Sequence, residues 1–253
     1  MKIGLVQFSP EWENKEASIQ KIERLLNDLS EKVDMLIFPE MTLTGFTMNN
    51  NIHAEEIDGI GMKYFLSLAA KLKSNIFFGI IERNGNDIFN SLVHISKEGL
   101  ITAYYRKIHP FSHTKEDKYY KGGNEPVITK IDQIKIGLSI CYDLRFPELF
   151  RIYAKQRAEI IINIANWPVD RIEHWKCLLK ARAVENQCFM IGVNRIGKDP
   201  FCKYNGFSAV FDPMGNEIVI NENEEKIITC DIDLNRVNEV RTKLPFLNDI
   251  KLI

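Results

Sequence analysis

A cysteine stands where an apolar run in the middle of the chain gives way to a helical pattern. The run from Ile134 to Ile140 predicts a buried strand, Cys141 follows it directly, and Pro147 begins a helical pattern. A side chain at such a strand end lies at the carboxyl edge of a sheet, where α/β proteins bind their ligands. Backbone N–H groups just beyond it are free to face a developing negative charge. The position therefore suits a cysteine nucleophile in acyl transfer.

The composition of the chain is that of an ordinary globular protein. It has 253 residues, 45% of them hydrophobic, and no segment rich in Pro, Gly or Ser that would act as a linker. We therefore predict a single domain over residues 1–253. The net charge is −1, with charges of both signs mixed throughout. This argues against a nucleic-acid partner, because nucleic-acid binding needs a basic patch or stripe.

The apolar runs of the sequence are short. None approaches the roughly 20 residues that a membrane span requires. The segment from Met1 to Phe8 enters a strand pattern directly and is too short for the apolar core of a signal peptide. We expect no membrane association and a cytoplasmic location.

The five cysteines are an odd number, lie far apart and form no C-x-x-C pair. This spacing argues against a disulfide framework and against a zinc site, so we expect no metal. In a reducing compartment most such thiols fill the core. We expect that role for the four besides Cys141, namely Cys177, Cys188, Cys202 and Cys230.

Strand and helix patterns alternate along the chain, which predicts an α/β fold with mixed β-sheet. Helical spacing of apolar residues predicts helices over residues 15–32, 59–73, 147–156, 174–187 and 233–241. Strands are predicted over residues 2–8, 34–39, 75–82, 88–96, 100–106, 134–140, 159–164, 188–195, 207–211, 217–220 and 226–232. The pattern leaves two architectures open: a single doubly wound sheet, or two sheets packed face to face under helices.

Three predicted strands end in a residue with catalytic chemistry, namely Glu40, Lys107 and Cys141. A free thiol titrates near pH 8.5 and is mostly protonated at neutral pH, so it needs a base. The Glu40 carboxylate would take its proton and return it to a leaving amine. The Lys107 ammonium and the backbone N–H of Tyr142 would stabilise a tetrahedral oxyanion. Such a set needs no histidine and no organic cofactor.

These segments resemble the three signature segments of the nitrilase, or carbon–nitrogen hydrolase, superfamily. The matching stretches are Phe38-Pro39-Glu40, Tyr105-Arg106-Lys107 and residues 141–148, and their order along the chain also matches. Further matches are Asn166-Trp167-Pro168, the helix over residues 174–186 and the turn over residues 211–215. The resemblance extends over about residues 2–233. It implies a four-layer αββα sandwich of two mixed sheets, and a homodimer or larger homo-oligomer.

The resemblance also implies roles for individual residues. Cys141 would be the nucleophile, Glu40 the base and Lys107 the oxyanion stabiliser. Glu116 matches the position of a second family glutamate, which would orient Lys107 and the attacking water. Within the superfamily the chain looks most like the omega-amidase branch, whose members hydrolyse the terminal amide of 2-oxoglutaramate or its relatives. The expected partner is thus a small amide, bound by residues near the nucleophile: Tyr142, Arg145, Asn166 and Trp167.

Several alternatives stay open at the level of single residues. Arg145 would hold a substrate carboxylate, or else pair with Asp143 or Glu148 and fix the turn. Glu116 lies in a mixed charged loop, where a solvated role is common, and Trp167 would suit the core as well as a pocket wall.

Three alternatives also stay open for the function. One is another reaction of the superfamily, by a deaminated-glutathione amidase, a nitrilase or an N-carbamoyl hydrolase. A second is a Cys-His hydrolase that uses His109 or His113. A third is a catalytically silent binding or scaffolding relative.

Overall fold

The computed structural model describes residues 1–252 of the chain. Over this range it contains six α-helices and thirteen β-strands. The helices are α1 Lys15–Asn27, α2 Asn50–His53, α3 Ile60–Leu72, α4 Pro147–Lys155, α5 Ile172–Asn186 and α6 Asn235–Lys243. The strands are β1 Lys2–Gln7, β2 Met35–Ile37, β3 Asn75–Asn84, β4 Asp87–Ile95, β5 Ile101–Arg106, β6 Ile128–Ile131, β7 Ile134–Ile140, β8 Ile160–Ala165, β9 Phe189–Asn194, β10 Ile196–Lys198, β11 Lys203–Phe211, β12 Glu217–Glu222 and β13 Lys226–Asp231.

The strands form two mixed sheets. The first has the order β13-β1-β2-β3-β4-β5, and the second has the order β10-β11-β9-β8-β7-β6, with β12 beside β11. Each sheet has three parallel strands, β1, β2 and β3 in the first and β7, β8 and β9 in the second. The remaining pairs are antiparallel, because hairpins extend each sheet outward.

Alternate residues of the central strands pack into different layers, as the two-residue repeat of a strand requires. In the first sheet Leu5, Ile37 and Phe77 point into the core that it shares with the second sheet. Their neighbours Leu36 and Phe78 point the other way, into the core beneath α1 and α3. Both faces of these strands are therefore buried, which explains their continuous apolar runs.

Helices α4 and α5 cover the outer face of the second sheet. Tyr153 of α4 is fully buried and donates its hydroxyl to the carbonyl of Leu138 in β7, while Trp175 and Leu179 of α5 pack into the same core. The layers therefore run helix, sheet, sheet, helix. This confirms the predicted α/β class and the αββα sandwich, and it excludes the single doubly wound sheet.

The predicted helices and strands agree with the structure, except that some short elements were not predicted and some element ends differ. Helix α1 ends at Asn27 rather than at residue 32. The predicted helix was too long because Leu29, which lies outside the helix, continues the apolar spacing and packs on the same core. The short elements α2, β6 and β10, of three or four residues each, were not predicted. In the described range, residues 1–252, no helix has the length and apolar character of a membrane span.

A close backbone contact attaches the end of β2 to its neighbour β3. Thr42 donates its backbone N–H to the Gly79 carbonyl, and Gly79 donates its own N–H to the Thr42 hydroxyl, both at 3.0 Å. A Cβ on Gly79 would lie 2.3 Å from the Met41 nitrogen and 2.7 Å from the Glu40 Cα. Only glycine therefore lets β3 approach the turn that carries Glu40.

We expect Gly79→Ala to displace this turn, to destabilise the protein by up to about 3 kcal/mol and to lower any activity that depends on Glu40. Thermal unfolding and turnover measure the two effects. Gly85→Ala is the matched control, because a Cβ there meets no atom within 4 Å and only the positive φ of 60° opposes it. Its cost should be about 1 kcal/mol with normal turnover. Equal effects of the two substitutions on turnover would contradict the steric argument.

Candidate active site

Glu40 is held in a buried turn just beyond β2. Its side chain is fully buried, and the next residue, Met41, has a positive φ of 44° that turns the chain sharply. The hydroxyl of Thr42 donates to the Pro39 carbonyl at 2.6 Å and closes the turn. A carboxylate at this depth is stable only with hydrogen-bonding or charged partners, so its contacts define the site.

Cys141 begins a 3-10 helix, Cys141–Arg145, that follows β7 directly. Its φ is +46°, a left-handed conformation that costs a non-glycine residue about 1–2 kcal/mol. Asp143 fixes this turn, because its carboxylate accepts from the Ile140 N–H at 2.9 Å and from the Tyr105 hydroxyl at 2.7 Å. Tyr142 is the second residue of this helix, where backbone N–H groups have no partner within the helix.

Lys107 stands directly after β5 and is 1% exposed. Its backbone N–H donates to the Asn90 carbonyl at 2.8 Å, which continues the pairing of β4 with β5 by one residue. Its ammonium contacts two carboxylates, Glu40 Oε1 at 2.9 Å and Glu116 Oε2 at 2.9 Å. Lys107 is therefore buried and paired rather than solvated.

Glu116 begins a short 3-10 turn, Glu116–Lys118, in the loop that follows β5. Its side chain is fully buried although the surrounding residues Lys115, Asp117 and Lys118 are exposed. Oε2 accepts from the Phe111 N–H at 2.6 Å and from Lys107, and Oε1 lies 3.2 Å from the same ammonium. The solvated role that the charged loop left open is therefore excluded.

Asn90 of β4 completes a closed ring of hydrogen bonds. Its Nδ2 donates to Glu40 Oε1 at 2.7 Å and to Glu116 Oε1 at 2.8 Å. The same two oxygens face the Lys107 ammonium. One ammonium and one amide group thus join two carboxylates that come from different loops.

Asn166 connects this cluster to the second sheet. It follows β8, and its backbone N–H donates to Glu40 Oε2 at 2.8 Å while its side-chain amide donates to the Glu40 carbonyl at 2.7 Å. Trp167 comes next and is 2% exposed, with its backbone N–H on Asn194 Oδ1 at 2.7 Å. Asn166 and Trp167 also line the pocket described below, so the core and pocket alternatives for Trp167 both apply.

A pocket of about 470 Å³, including its open mouth, lies above Cys141 and Lys107. Five aromatic rings contribute to the wall. They belong to Phe46, Phe111, Tyr142, Trp167 and Tyr204. The pocket therefore combines an apolar wall with a few polar groups, as small-molecule sites commonly do.

Two arginines, Arg145 and Arg171, bring positive charge to the pocket. The Arg145 guanidinium lies 4.7 Å from the centre of the Trp167 ring, and that of Arg171 lies 5.5 Å from the Phe111 ring. Within residues 1–252 neither forms an ion pair with a carboxylate, so the suggested pairing of Arg145 with Asp143 or Glu148 is wrong. The pKa of Arg145 is lowered by burial and then by the nearby charge of Arg171.

The histidines of the Cys-His alternative lie apart from the pocket wall. His109 faces Asp143 at 2.8 Å through Nδ1 and stacks on Phe146, and His113 is exposed. Neither is among the residues that line the pocket next to Cys141. Over the described range no cluster of three or more His, Cys, Asp or Glu side chains is arranged to hold a metal ion.

The buried cluster distributes its charge unevenly. Burial is the strongest influence on Glu40, but the Lys107 charge and the hydrogen bonds from Lys107, Asn90 and Asn166 outweigh it and lower the pKa of Glu40. For Glu116 burial, aided by the Glu40 charge, prevails over Lys107 and raises the pKa. Burial opposes the charge of Lys107, but Glu116 and Glu40 overcome it and raise the pKa of Lys107 well above its ordinary value.

The thiol of Cys141 responds to the same charges. Burial, and after it the negative charge of Glu40, raises the pKa of Cys141 well above its ordinary value, although Lys107 acts in the opposite direction. The resting pair at neutral pH is therefore a neutral thiol beside an ionised carboxylate. The Glu40 carboxylate is thus close enough to the Cys141 thiol for its charge to raise the thiol pKa.

Comparison with known proteins agrees with this geometry. The family model described as carbon–nitrogen hydrolase matches residues 2–242. The chain is 34% identical to the 2-oxoglutaramate amidase of Bacillus subtilis over 251 residues, which cover 98% of this chain and 97% of that protein. It is 30% identical to the omega-amidase YafV of Escherichia coli K12, over 98% of this chain and 96% of that protein.

The chain belongs to the carbon–nitrogen hydrolase family. Among solved structures, the hydrolase superposes with a TM-score of 0.95 on XC1258 from Xanthomonas campestris, a CN-hydrolase superfamily protein crystallised with an arsenic adduct in its active site. That pair is 32% identical, and the match covers 100% of this chain and 98% of the other. The predicted superfamily and the predicted enzyme class, a carbon–nitrogen hydrolase, are confirmed. The roles of single residues stay predictions.

Two residues of the site were missed by the sequence analysis. Asn90 is a polar residue inside a strand whose neighbours are mostly apolar, and that contrast is the signal that could have singled it out. Arg171 lies three residues after Pro168, between the matching stretches 166–168 and 174–186, and a cation so close to a predicted pocket wall was a usable signal. The structure brings both to the other predicted residues.

We expect the Cys141 thiolate to appear at higher pH than the ordinary value of about 8.5. Absorbance near 240 nm, measured against a Cys141→Ser variant, follows this titration. Glu40→Gln removes a negative charge that opposes the thiolate and frees the Lys107 charge, so it should move the titration to lower pH. A titration that stays in place, or moves up, in Glu40→Gln would show that the two groups are not coupled.

Proposed function

We propose that the hydrolase cleaves a small primary amide through a thioester on Cys141. The observation that carries this proposal is the buried cluster of Glu40, Lys107 and Glu116 beside a cysteine at the floor of a pocket. Nucleophile, base and cation are the parts that acyl transfer requires. Burial of three charged groups costs desolvation free energy, so a catalytic use accounts for them better than a structural use does.

In the first half of the proposed reaction the Cys141 sulfur attacks the amide carbon. Glu40 accepts the thiol proton as the carbon–sulfur bond forms, and the carbonyl oxygen becomes an oxyanion. Lys107 and the Tyr142 N–H stabilise that oxygen, and one such donor is typically worth roughly 3–4 kcal/mol. Glu40 then returns the proton to the nitrogen, the carbon–nitrogen bond breaks, and ammonia leaves.

In the second half water replaces the thiol. Glu40 takes a proton from water as the oxygen attacks the thioester carbon, and the carbon–sulfur bond then breaks. The proton returns to the sulfur and the carboxylic acid leaves. Glu116 holds the Lys107 ammonium in place as a second carboxylate partner through both steps.

The pocket favours a substrate with a negative charge. Arg145 and Arg171 both line it and have no carboxylate partner within residues 1–252. A substrate carboxylate would offset both the burial and the repulsion by Arg171 that lower the pKa of Arg145. The relatives named 2-oxoglutaramate amidase and omega-amidase support an oxo-acid amide, and we propose 2-oxoglutaramate as the representative substrate.

A panel of substrates distinguishes this proposal from the other reactions of the superfamily. Deaminated glutathione, nitriles and N-carbamoyl compounds would use the same nucleophile on a different acyl group. The predictions of a single domain, a cytoplasmic location and a homodimer or larger homo-oligomer stay predictions.

We expect the purified hydrolase to release ammonia and 2-oxoglutarate from 2-oxoglutaramate, and Cys141→Ala to release neither. Intact mass should show an acyl adduct on the wild type when the reaction is quenched. Cys177→Ala is the matched control, because that thiol is exposed on α5 and does not line the pocket. Equal turnover by wild type and Cys141→Ala would refute the nucleophile. Turnover of nitriles with no turnover of amides would refute the substrate class.

We expect Arg171→Met to raise the KM for 2-oxoglutaramate about 10- to 100-fold, the usual worth of hydrogen bonds to a charged group. Turnover of a neutral amide such as butyramide should change little, because it has no carboxylate to bind. Arg24→Met, which removes an exposed arginine of α1, is the control. An equal rise in KM for the neutral and the charged amide would rule out a carboxylate contact.

A further inference from the structure

Asn90 occupies the one place in the cluster from which a single uncharged group reaches both carboxylates. It lies in the middle of β4, is 1% exposed, and does not line the pocket. Its Nδ2 lies 2.7 Å from Glu40 Oε1 and 2.8 Å from Glu116 Oε1. A side chain amide has two hydrogens on this nitrogen, so each carboxylate receives one.

The orientation of this amide is set by the carboxylates. If the group were turned over, its oxygen would face two carboxylate oxygens and both contacts would be repulsive. In the observed orientation the Asn90 Oδ1 is buried and has no hydrogen-bond partner among residues 1–252. One buried acceptor thus has no hydrogen bond, while each carboxylate receives one. This orientation of the amide stabilises the two carboxylates rather than β4.

The main chain of Asn90 acts on the third member of the cluster. Its carbonyl accepts the Lys107 N–H at 2.8 Å, so the same residue fixes where Lys107 leaves β5. Because Lys107 and Asn90 both contact Glu40 Oε1 and Glu116 Oε1, the four groups form a closed ring. Removing Asn90 opens the ring and leaves Lys107 as its only bridge.

We propose that Asn90 is a positioning residue of the hydrolase, whose amide holds Glu40 ionised and aimed while Glu116 stays bound to the other side of Lys107. This proposal rests on the proposed function of Glu40 as the base. A neutral donor is suited to the task, because it favours the carboxylates without adding a second cation that would cancel their charge. Asn90 touches neither the substrate pocket nor Cys141, so it acts through Glu40.

The test uses Asn90→Ser, which has only one hydroxyl hydrogen in place of two amide hydrogens. Loss of a donor to the ionised form raises the pKa of a carboxyl group. The acid limb of the pH profile of kcat/KM should therefore move to higher pH, and kcat should fall about 10- to 100-fold, within the range of general base catalysis. KM should stay within about twofold, because the pocket wall is unchanged.

A second variant, Asn90→Asp, keeps the size of the side chain and adds a third carboxyl group to the ring. It can be accommodated only while one carboxyl group holds a proton, so its activity should fall as the pH rises through neutrality, where the wild type is active. The control is Asn163→Ser, a fully buried asparagine of β8 whose Nδ2 contacts Ser139 at 3.0 Å. Its pH profile should match that of the wild type.

A readout without substrate separates failure of this proposal from failure of the proposed function. Carbon-13 NMR of labelled glutamate carboxyl groups, assigned with Glu40→Gln and Glu116→Gln, follows the Glu40 titration directly. We expect it to move to higher pH in Asn90→Ser and to stay in place in Asn163→Ser. Asn90 variants that fold by circular dichroism, yet keep the wild-type Glu40 titration and acid limb, would overturn the positioning role. A wild type that turns over no amide would overturn the proposed function alone.

Discussion

The fold converges on the contact of one buried ammonium with two buried carboxylates. Lys107 follows β5 directly, Glu40 lies in the turn after β2, and Glu116 comes from the loop that follows β5. Through Asn166 the same Glu40 is bonded to the edge of the second sheet. The contact therefore joins the two halves of the sandwich at one end, and in the proposed function it sets the position of the base relative to Cys141.

Burial makes this contact sensitive to its surroundings. Desolvation costs each buried ion several kcal/mol, and a close partner recovers this only with good geometry and further hydrogen bonds. Here backbone N–H groups of Phe111 and Asn166 and the amide of Asn90 provide those bonds. The hydrogen bonds that offset the desolvation cost also hold the carboxylates in place. In the proposed function, acyl transfer requires a base that is held in this way near the nucleophile.

The chain order of strands and helices was predictable, because the apolar periodicity of β1, β7 and α3 is strong and uninterrupted. Glu40, Lys107 and Cys141 were predictable as polar residues at strand ends. The division into two sheets did not follow from periodicity, since strands buried on both faces look alike in either architecture, and only the family resemblance indicated it. Asn90 was missed because its importance comes from partners 50 and 26 residues away in the sequence, Glu40 and Glu116. Arg171 was missed because the pocket wall is assembled from several loops.

The unequal charge at the two ends of the pocket bears on how the reaction products leave. The Glu40, Lys107 and Glu116 groups sum to −1 when both carboxylates are ionised, whereas Arg145 and Arg171 bring positive charge to the wall. In the proposed reaction an uncharged amide next to the negative end becomes a carboxylate there. In that proposal the negative charge has little effect on the uncharged amide but repels the carboxylate that replaces it, so hydrolysis would favour release of the acid from the site next to Cys141.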